Sequence, residues 1–248
     1  VTVSGMSQHL PDAVRSGLDA VAEKVAEKVA DVKPKLRGWL HLGTAPLTLA
    51  AGIVLVVLSP NTVTRIGSAL FTGSALVLFS VSAAYHTGTW SPRVWAFLRR
   101  FDHSNIFLLI AGSYTPFALI LLDGTPQKVL LSVVWAGAVL GVGFRIFWTD
   151  APRWLYTPMY IALGWAAVFF IPQFVDGADK FSSGIAIATL VLVAAGGLLY
   201  TFGGVVYGLK RPNPSPRWFG FHEVFHSFTV LAFAAHYVGV SLATYSLR

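Results

Sequence analysis

The sequence contains no cysteine, and only 12% of its 248 residues are charged. The lack of cysteine excludes disulfide bonds, thiolate ligands for zinc and a cysteine nucleophile. The scarcity of charge, combined with 55% hydrophobic residues and a mean hydropathy of +0.65, leaves too little polar surface for a soluble globule of this size. The composition therefore predicts an integral membrane protein.

The hydrophobic residues are concentrated in apolar runs of the length that a helix needs to cross a hydrocarbon core of about 30 Å. Seven such runs cover residues 39–58, 63–85, 104–122, 129–148, 155–174, 185–207 and 224–245. The connections between the runs are short, and the strict alternation of a membrane β-barrel is absent from them. We therefore predict an all-α fold, with one seven-helix transmembrane bundle over residues 38–248.

Residues 1–37 differ from the rest of the chain in composition. They lack the apolar core of a cleavable signal peptide, so we expect the first spanning helix to serve as the insertion signal. Valine and leucine recur at helical spacing among charged residues, as expected of a short amphipathic helix that ends near Pro34. Such a helix would lie on the inner membrane surface or on the bundle. The apolar stripe consists of Val14, Leu18, Val21, Val25 and Val29.

The basic residues indicate the orientation of the bundle, because lysine and arginine collect in cytoplasmic loops. With the N-terminus in the cytoplasm, 14 of the 18 lysine and arginine residues fall on the inner side. We predict a cytoplasmic N-terminus and an outside C-terminus, in the plasma (inner) membrane. This topology and the anionic inner leaflet also account for the net charge of +7, so membrane lipids rather than nucleic acid are the expected partners.

Five polar residues lie at membrane depth and converge on one side of the predicted bundle. Ser82 and His86 end the second run, Asp102 opens the third, and His222 and His226 begin the seventh. The second helix runs inward while the third and seventh start from the inner face, so all five reach the same side. Ionisable groups at this depth are costly, and they usually mark function.

The histidines resemble the HExxH motif of metalloproteases, since Glu223 lies between His222 and His226. A protease of that class needs a third metal ligand downstream. The chain has no acid after Glu223, and His236 lies about 15 Å further along a continuous helix. Three interfacial, hydrogen-bonded histidines are the alternative, but their clustering favours a Zn²⁺ site formed by His86, His222, His226 and water. The sequence gives no comparable reason to place His9, His41, His103 or His236 in a metal site.

The same polar set resembles the hemolysin III family, which is related to the progestin and adiponectin receptors and more distantly to the alkaline ceramidases. The likeness extends from about residue 36 to the C-terminus. It implies a seven-helix bundle with an inside N-terminus and zinc near the cytoplasmic leaflet, bound by His86, His222 and His226. By that likeness Asp102, with Ser82, holds or activates the water on zinc. Glu223 is a second candidate base, unless it faces the cytosol.

The resemblance also sets the expected function. It implies a zinc-dependent hydrolase of ceramide-like lipid amides, with a lipid amide or fatty acid bound within the bundle. Two alternatives stay open: a regulator or receptor of membrane homeostasis in which zinc is structural, and a pore-forming cytolysin. The pore is the least favoured, because no helix has the continuous polar stripe that would line a channel.

Overall fold

The computed structural model describes residues 34–248, together with Val14, Gly17 and Val21, which are helical. The rest of the predicted amphipathic helix lies outside the described residues. Within the described part the fold is all-α. The helices are α1 (Trp39–Val57), α2 (Thr62–Thr87), α3 (Pro92–Leu121), α4 (Gly124–Phe147), α5 (Arg153–Gly164), α6 (Ile171–Ala178), α7 (Ser183–Leu209) and α8 (Phe221–Tyr245).

Seven spans in the described residues are long and apolar enough to cross a membrane, which confirms the predicted fold class. Six of the spans are single helices, and the fifth is formed by α5 and α6 together. Five of the six connections between spans are two to five residues long, and the connection between α7 and α8 has eleven residues, so consecutive spans run in opposite directions. The connection into α2 is fixed by Asn61, whose Oδ1 accepts the Thr64 N–H at 3.0 Å, as in a typical N-cap.

The structure departs from the predicted runs at two helices. Helix α3 begins at Pro92, twelve residues before the run at 104. Its first turns carry arginines, which are too polar to count in an apolar run but have a high helix propensity. Asp102 is therefore inside α3 and not at its head. The fifth span is interrupted by a 3-10 segment, Ala166–Phe170. Pro172 at the start of α6 removes a backbone donor and displaces the preceding carbonyl, which breaks the regular helix.

Helix α3 is the central helix of the bundle. In its most apolar stretch 72% of the residues are buried, against 11% in α7. It contacts α2, α4, α5, α6 and α8, whereas the outer faces of α1, α4 and α7 expose large apolar side chains suited to contact with lipid. A polar side chain on the inward face of α3 therefore lies among other helices and not in lipid.

One end of the bundle holds the end of α2 and the starts of α3 and α8, and we call it the basic end after Arg93, Arg99, Arg100 and Arg217. The segment before α1 is fastened there, since the Lys35 N–H donates to the Arg217 carbonyl at 3.0 Å and the Leu36 N–H donates to that of Trp218 at 3.2 Å.

Gly38 brings this segment close to the end of α2. Its φ of +87° is in the left-handed region, which suits glycine. A Cβ at this position would lie 2.6 Å from the Cβ of His86. The absence of a side chain at Gly38 therefore allows α1 to start directly against His86.

Candidate metal centre

Three buried histidines meet at the basic end of the bundle. His86 is in the last turn of α2, and His222 and His226 are in the first two turns of α8. One ligand nitrogen from each ring lies within 4.8 Å of the other two. The ring centroids are 4.5 Å apart for His222 and His226, and 4.8 Å apart for His86 and His222. The four-residue spacing places both α8 rings on one helix face.

The chemistry of this group fits a zinc ion. Nε2 of His222 and Nδ1 of His226 are buried and make no hydrogen bond within the described part of the chain. A buried nitrogen without a partner costs about 1–3 kcal/mol, and a metal ion would satisfy it. Three neutral imidazoles with no sulfur ligand form a donor set that suits Zn²⁺ and leaves a coordination position open.

Asp102 and Ser82 complete the set of predicted residues. Oδ2 of Asp102 lies 3.7 Å from Nε2 of His86, and the Asp102 side chain is 12% exposed. The Ser82 hydroxyl, one turn before His86, interacts with the same carboxylate. All five predicted site residues therefore lie together, because α2 and α3 pack antiparallel and α8 contacts both.

The environment of Glu223 decides between its two predicted positions. It is fully buried and does not face the cytosol. One carboxylate oxygen pairs with the Arg37 guanidinium, and Oε2 accepts the Gly220 N–H at 2.7 Å. The carboxylate thus caps α8 and fastens the segment before α1 to it. Because both oxygens are engaged, Glu223 is poorly suited to act as a base, and Asp102 is the carboxylate next to the histidines.

His41 is a member of the site that the sequence interpretation missed. Its ring stacks on that of His226, with centroids 3.8 Å apart and planes inclined by 16°. The edge of the ring also meets Phe79, at 5.0 Å between centroids. The residue is 2% exposed, so it is buried inside the bundle. The sequence did contain one indication of a role for His41: it lies inside the first apolar run, where any ionisable residue is unusual.

Two other histidines have local partners. Nδ1 of His103 lies 2.7 Å from the Arg99 carbonyl. In the half of α8 away from the triad, Nε2 of His236 lies 3.2 Å from the Val193 carbonyl. A further polar residue was not anticipated: Asn105, one turn along α3 from Asp102, is fully buried with both amide atoms unpartnered in the described structure.

Comparison with known proteins assigns the chain to a family. A family model described as "Haemolysin-III related" matches residues 30–237, which include all five site residues. The chain belongs to the haemolysin-III-related family. It is 30% identical to hemolysin-3 of Bacillus cereus over 191 residues, which cover 75% of this chain and 84% of the relative. It is 31% identical to the hemolysin-3 homolog of Bacillus subtilis over 196 residues, or 76% and 84% of the two chains.

The chain is also similar to two animal proteins named as receptors or receptor-like. The chain is 29% identical to an adiponectin receptor protein of Drosophila melanogaster over 191 residues, which cover 70% of this chain and 41% of the receptor. A progestin and adipoQ receptor-like protein of Caenorhabditis elegans also matches, at 26% identity. These matches confirm the predicted relation to hemolysin III and to the adiponectin and progestin receptors.

Proposed function

We propose that this haemolysin-III-related membrane protein binds one Zn²⁺ through His86, His222 and His226 and hydrolyses lipid amides inside its bundle. The observation that carries the proposal is the buried triad itself, with one nitrogen of each ring within 4.8 Å of the others. Such a cluster at membrane depth is costly without a ligand to satisfy it. Residues that serve only to pack the bundle would not need three convergent nitrogens.

Zinc, when bound to these imidazoles, would polarise a carbonyl and acidify water to a pKa near 7. Asp102 lies beside His86 and is placed to accept the proton that the attacking water releases. Ser82, which interacts with the Asp102 carboxylate, holds that carboxylate toward the histidines. Arg37 and Glu223 keep α1 and α8 together around the site and take no proton.

A lipid amide is the substrate class that suits this position. The site lies within a bundle surrounded by lipid, so a lipid can enter laterally between helices while its polar part reaches the histidines. The buried amide of Asn105, one turn from Asp102, offers both a donor and an acceptor to an amide group. The choice of ceramide-like amides follows the family likeness, and the acyl chain is left open.

The proposal includes the orientation of the protein in the membrane. The basic end would face the cytoplasm, because it carries most of the lysine and arginine residues. The zinc site would then lie near the cytoplasmic leaflet of the plasma membrane, with residues 1–37 in the cytoplasm and the C-terminus outside.

A structural zinc in a regulator or receptor is the second candidate, since the histidines also tie α2 to α8. The names of the adiponectin and progestin receptor relatives favour it over a pore. In that case zinc removal would lower the unfolding temperature, and no lipid amide would be cleaved. A cytolysin would instead release dye from vesicles, with or without zinc.

Metal analysis and lipid hydrolysis on one purified sample test the proposal. We expect about one zinc per chain and release of fatty acid from a ceramide-like amide, with the release lost after chelation and restored by added Zn²⁺. Protein that holds zinc but releases no fatty acid from short-chain or long-chain amides would favour the structural role. Protein without zinc would refute both.

A further inference from the structure

His41 is the most unusual buried residue outside the proposed ligand set. Both of its ring nitrogens are buried and make no hydrogen bond to any described residue. Neutral imidazole carries one donor and one acceptor, so two polar groups are left without partners in an apolar environment. Each costs about 1–3 kcal/mol, and a phenylalanine would fill the same space without that cost. A purely packing role therefore does not account for a histidine here.

The stacking geometry shows why His41 is not itself a ligand of the same ion. A metal binds imidazole in the plane of the ring, about 2.0 Å from the nitrogen. The planes of His41 and His226 are nearly parallel, with the centroids 3.8 Å apart. An ion in the plane of His226 lies well outside the plane of His41. His41 therefore lies over one face of the His226 ring.

We infer that His41 belongs to the working site: it fixes the ring of His226 by stacking, and its unprotonated ring nitrogen binds the amide N–H of the lipid. The inference rests on the proposed function and adds a substrate contact to it. The N–H of the amide donates to the unprotonated ring nitrogen, which gives that buried acceptor a partner. The matching lipid ester has no N–H and would leave that nitrogen unpartnered.

The position of His41 on α1 supports this role. Helix α1 is a peripheral helix, with 22% of its most apolar stretch buried, yet this side chain reaches the centre of the basic end. Gly38 allows the start of α1 to approach His86, and the pair of Arg37 with Glu223 fastens the same turn to α8. The contacts before α1 thus hold His41 against His226.

The test compares His41→Phe with His41→Ala in the full-length zinc protein. Phenylalanine keeps a flat ring over His226 but has no nitrogen, whereas alanine removes both. Zinc affinity is measured by competition with a chelator, and kcat/KM is measured at saturating zinc with a lipid amide and with its matched ester. His236→Phe is the matched control, because it makes the same change on α8 far from the triad.

We expect the zinc affinity of His41→Phe to stay within about threefold of the wild-type value. We expect the zinc affinity of His41→Ala to fall by about tenfold or more, as is usual when a group that orients a metal ligand is removed. We expect His41→Phe to lower kcat/KM for the amide by about 10- to 100-fold, since the hydrogen bond to the amide N–H is lost, and to lower it less for the ester. His236→Phe should change neither zinc affinity nor the preference for the amide.

Either half of the inference can fail separately from the proposed function. Wild-type zinc affinity in His41→Ala would overturn the orienting role, and wild-type kcat/KM for the amide in His41→Phe would overturn the binding role. If the wild-type protein binds zinc but cleaves no amide, the hydrolase proposal fails, and the proposed substrate contact of His41 fails with it. The comparison of zinc affinities still decides whether His41 orients His226.

Discussion

Oδ2 of Asp102 lies 3.7 Å from Nε2 of His86, so the carboxylate is next to the histidine triad of the candidate metal centre. The two residues come from different helices, joined by a connection of only a few residues between Thr87 and Pro92. This short connection makes α2 and α3 antiparallel and holds the carboxylate beside the ring. Asp102 is therefore the residue whose role most directly separates a hydrolase from a protein with structural zinc.

Asp102→Asn keeps the size of the side chain but removes the charge that would accept a proton. If the protein is a hydrolase, we expect zinc content to stay near that of the wild type and fatty-acid release to fall by about 100-fold or more, the usual contribution of a general base. Both quantities are measured on the same purified sample. Full activity in this variant would remove Asp102 from the mechanism.

Replacing both His222 and His226 by alanine should abolish zinc binding, because one imidazole alone cannot hold the ion in competition with a chelator. Metal analysis of the purified double variant checks this. His236→Ala is the control on the same helix and should retain zinc, since it already contacts the Val193 carbonyl. Stoichiometric zinc in the double variant would end the metal proposal.

The ion pair of Arg37 and Glu223 makes a prediction about stability. Glu223→Gln leaves the partly buried Arg37 guanidinium without its counter-charge, and we expect the free energy of unfolding to fall by about 1–3 kcal/mol. Thermal unfolding in detergent measures this loss. The double variant Arg37→Leu with Glu223→Leu should recover part of it, because it leaves neither charge unpaired.

The same Glu223→Gln variant also tests the base alternative. Because glutamine can still accept the Gly220 N–H, we expect the folded, zinc-loaded variant to retain most of its turnover. A loss of turnover of about 100-fold with unchanged stability would identify Glu223, and not Asp102, as the base.

The asymmetry of basic residues predicts the topology. A reporter fused to the N-terminus should read as cytoplasmic, and one fused to the C-terminus should read as external. Seven spans are an odd number, so the two ends of the bundle segment must lie on opposite sides. Cytoplasmic signals from both fusions would contradict the proposed orientation.

The sequence alone was sufficient to predict the membrane bundle and the candidate metal centre. Apolar runs are local in the chain, and the length needed to cross a bilayer is fixed, so the spans can be counted without a structure. The spacing of His222 and His226 is also a local helical property. Successive spans alternate in direction, so the end of the second span and the starts of the third and seventh lie on the same side of the membrane. This is why His222 and His226 could be predicted to lie near His86 and Asp102.

Only the tertiary structure determined the neighbours of those residues. The stacking of His41 on His226 and the pairing of Arg37 with Glu223 join the start of α1 to the start of α8, 186 residues apart for the ion pair. No hydropathy or spacing rule relates such distant segments. The burial of Glu223 depends on how the turn before α1 packs. That packing depends on contacts at Gly38, Arg217 and Trp218, which form only in the folded chain.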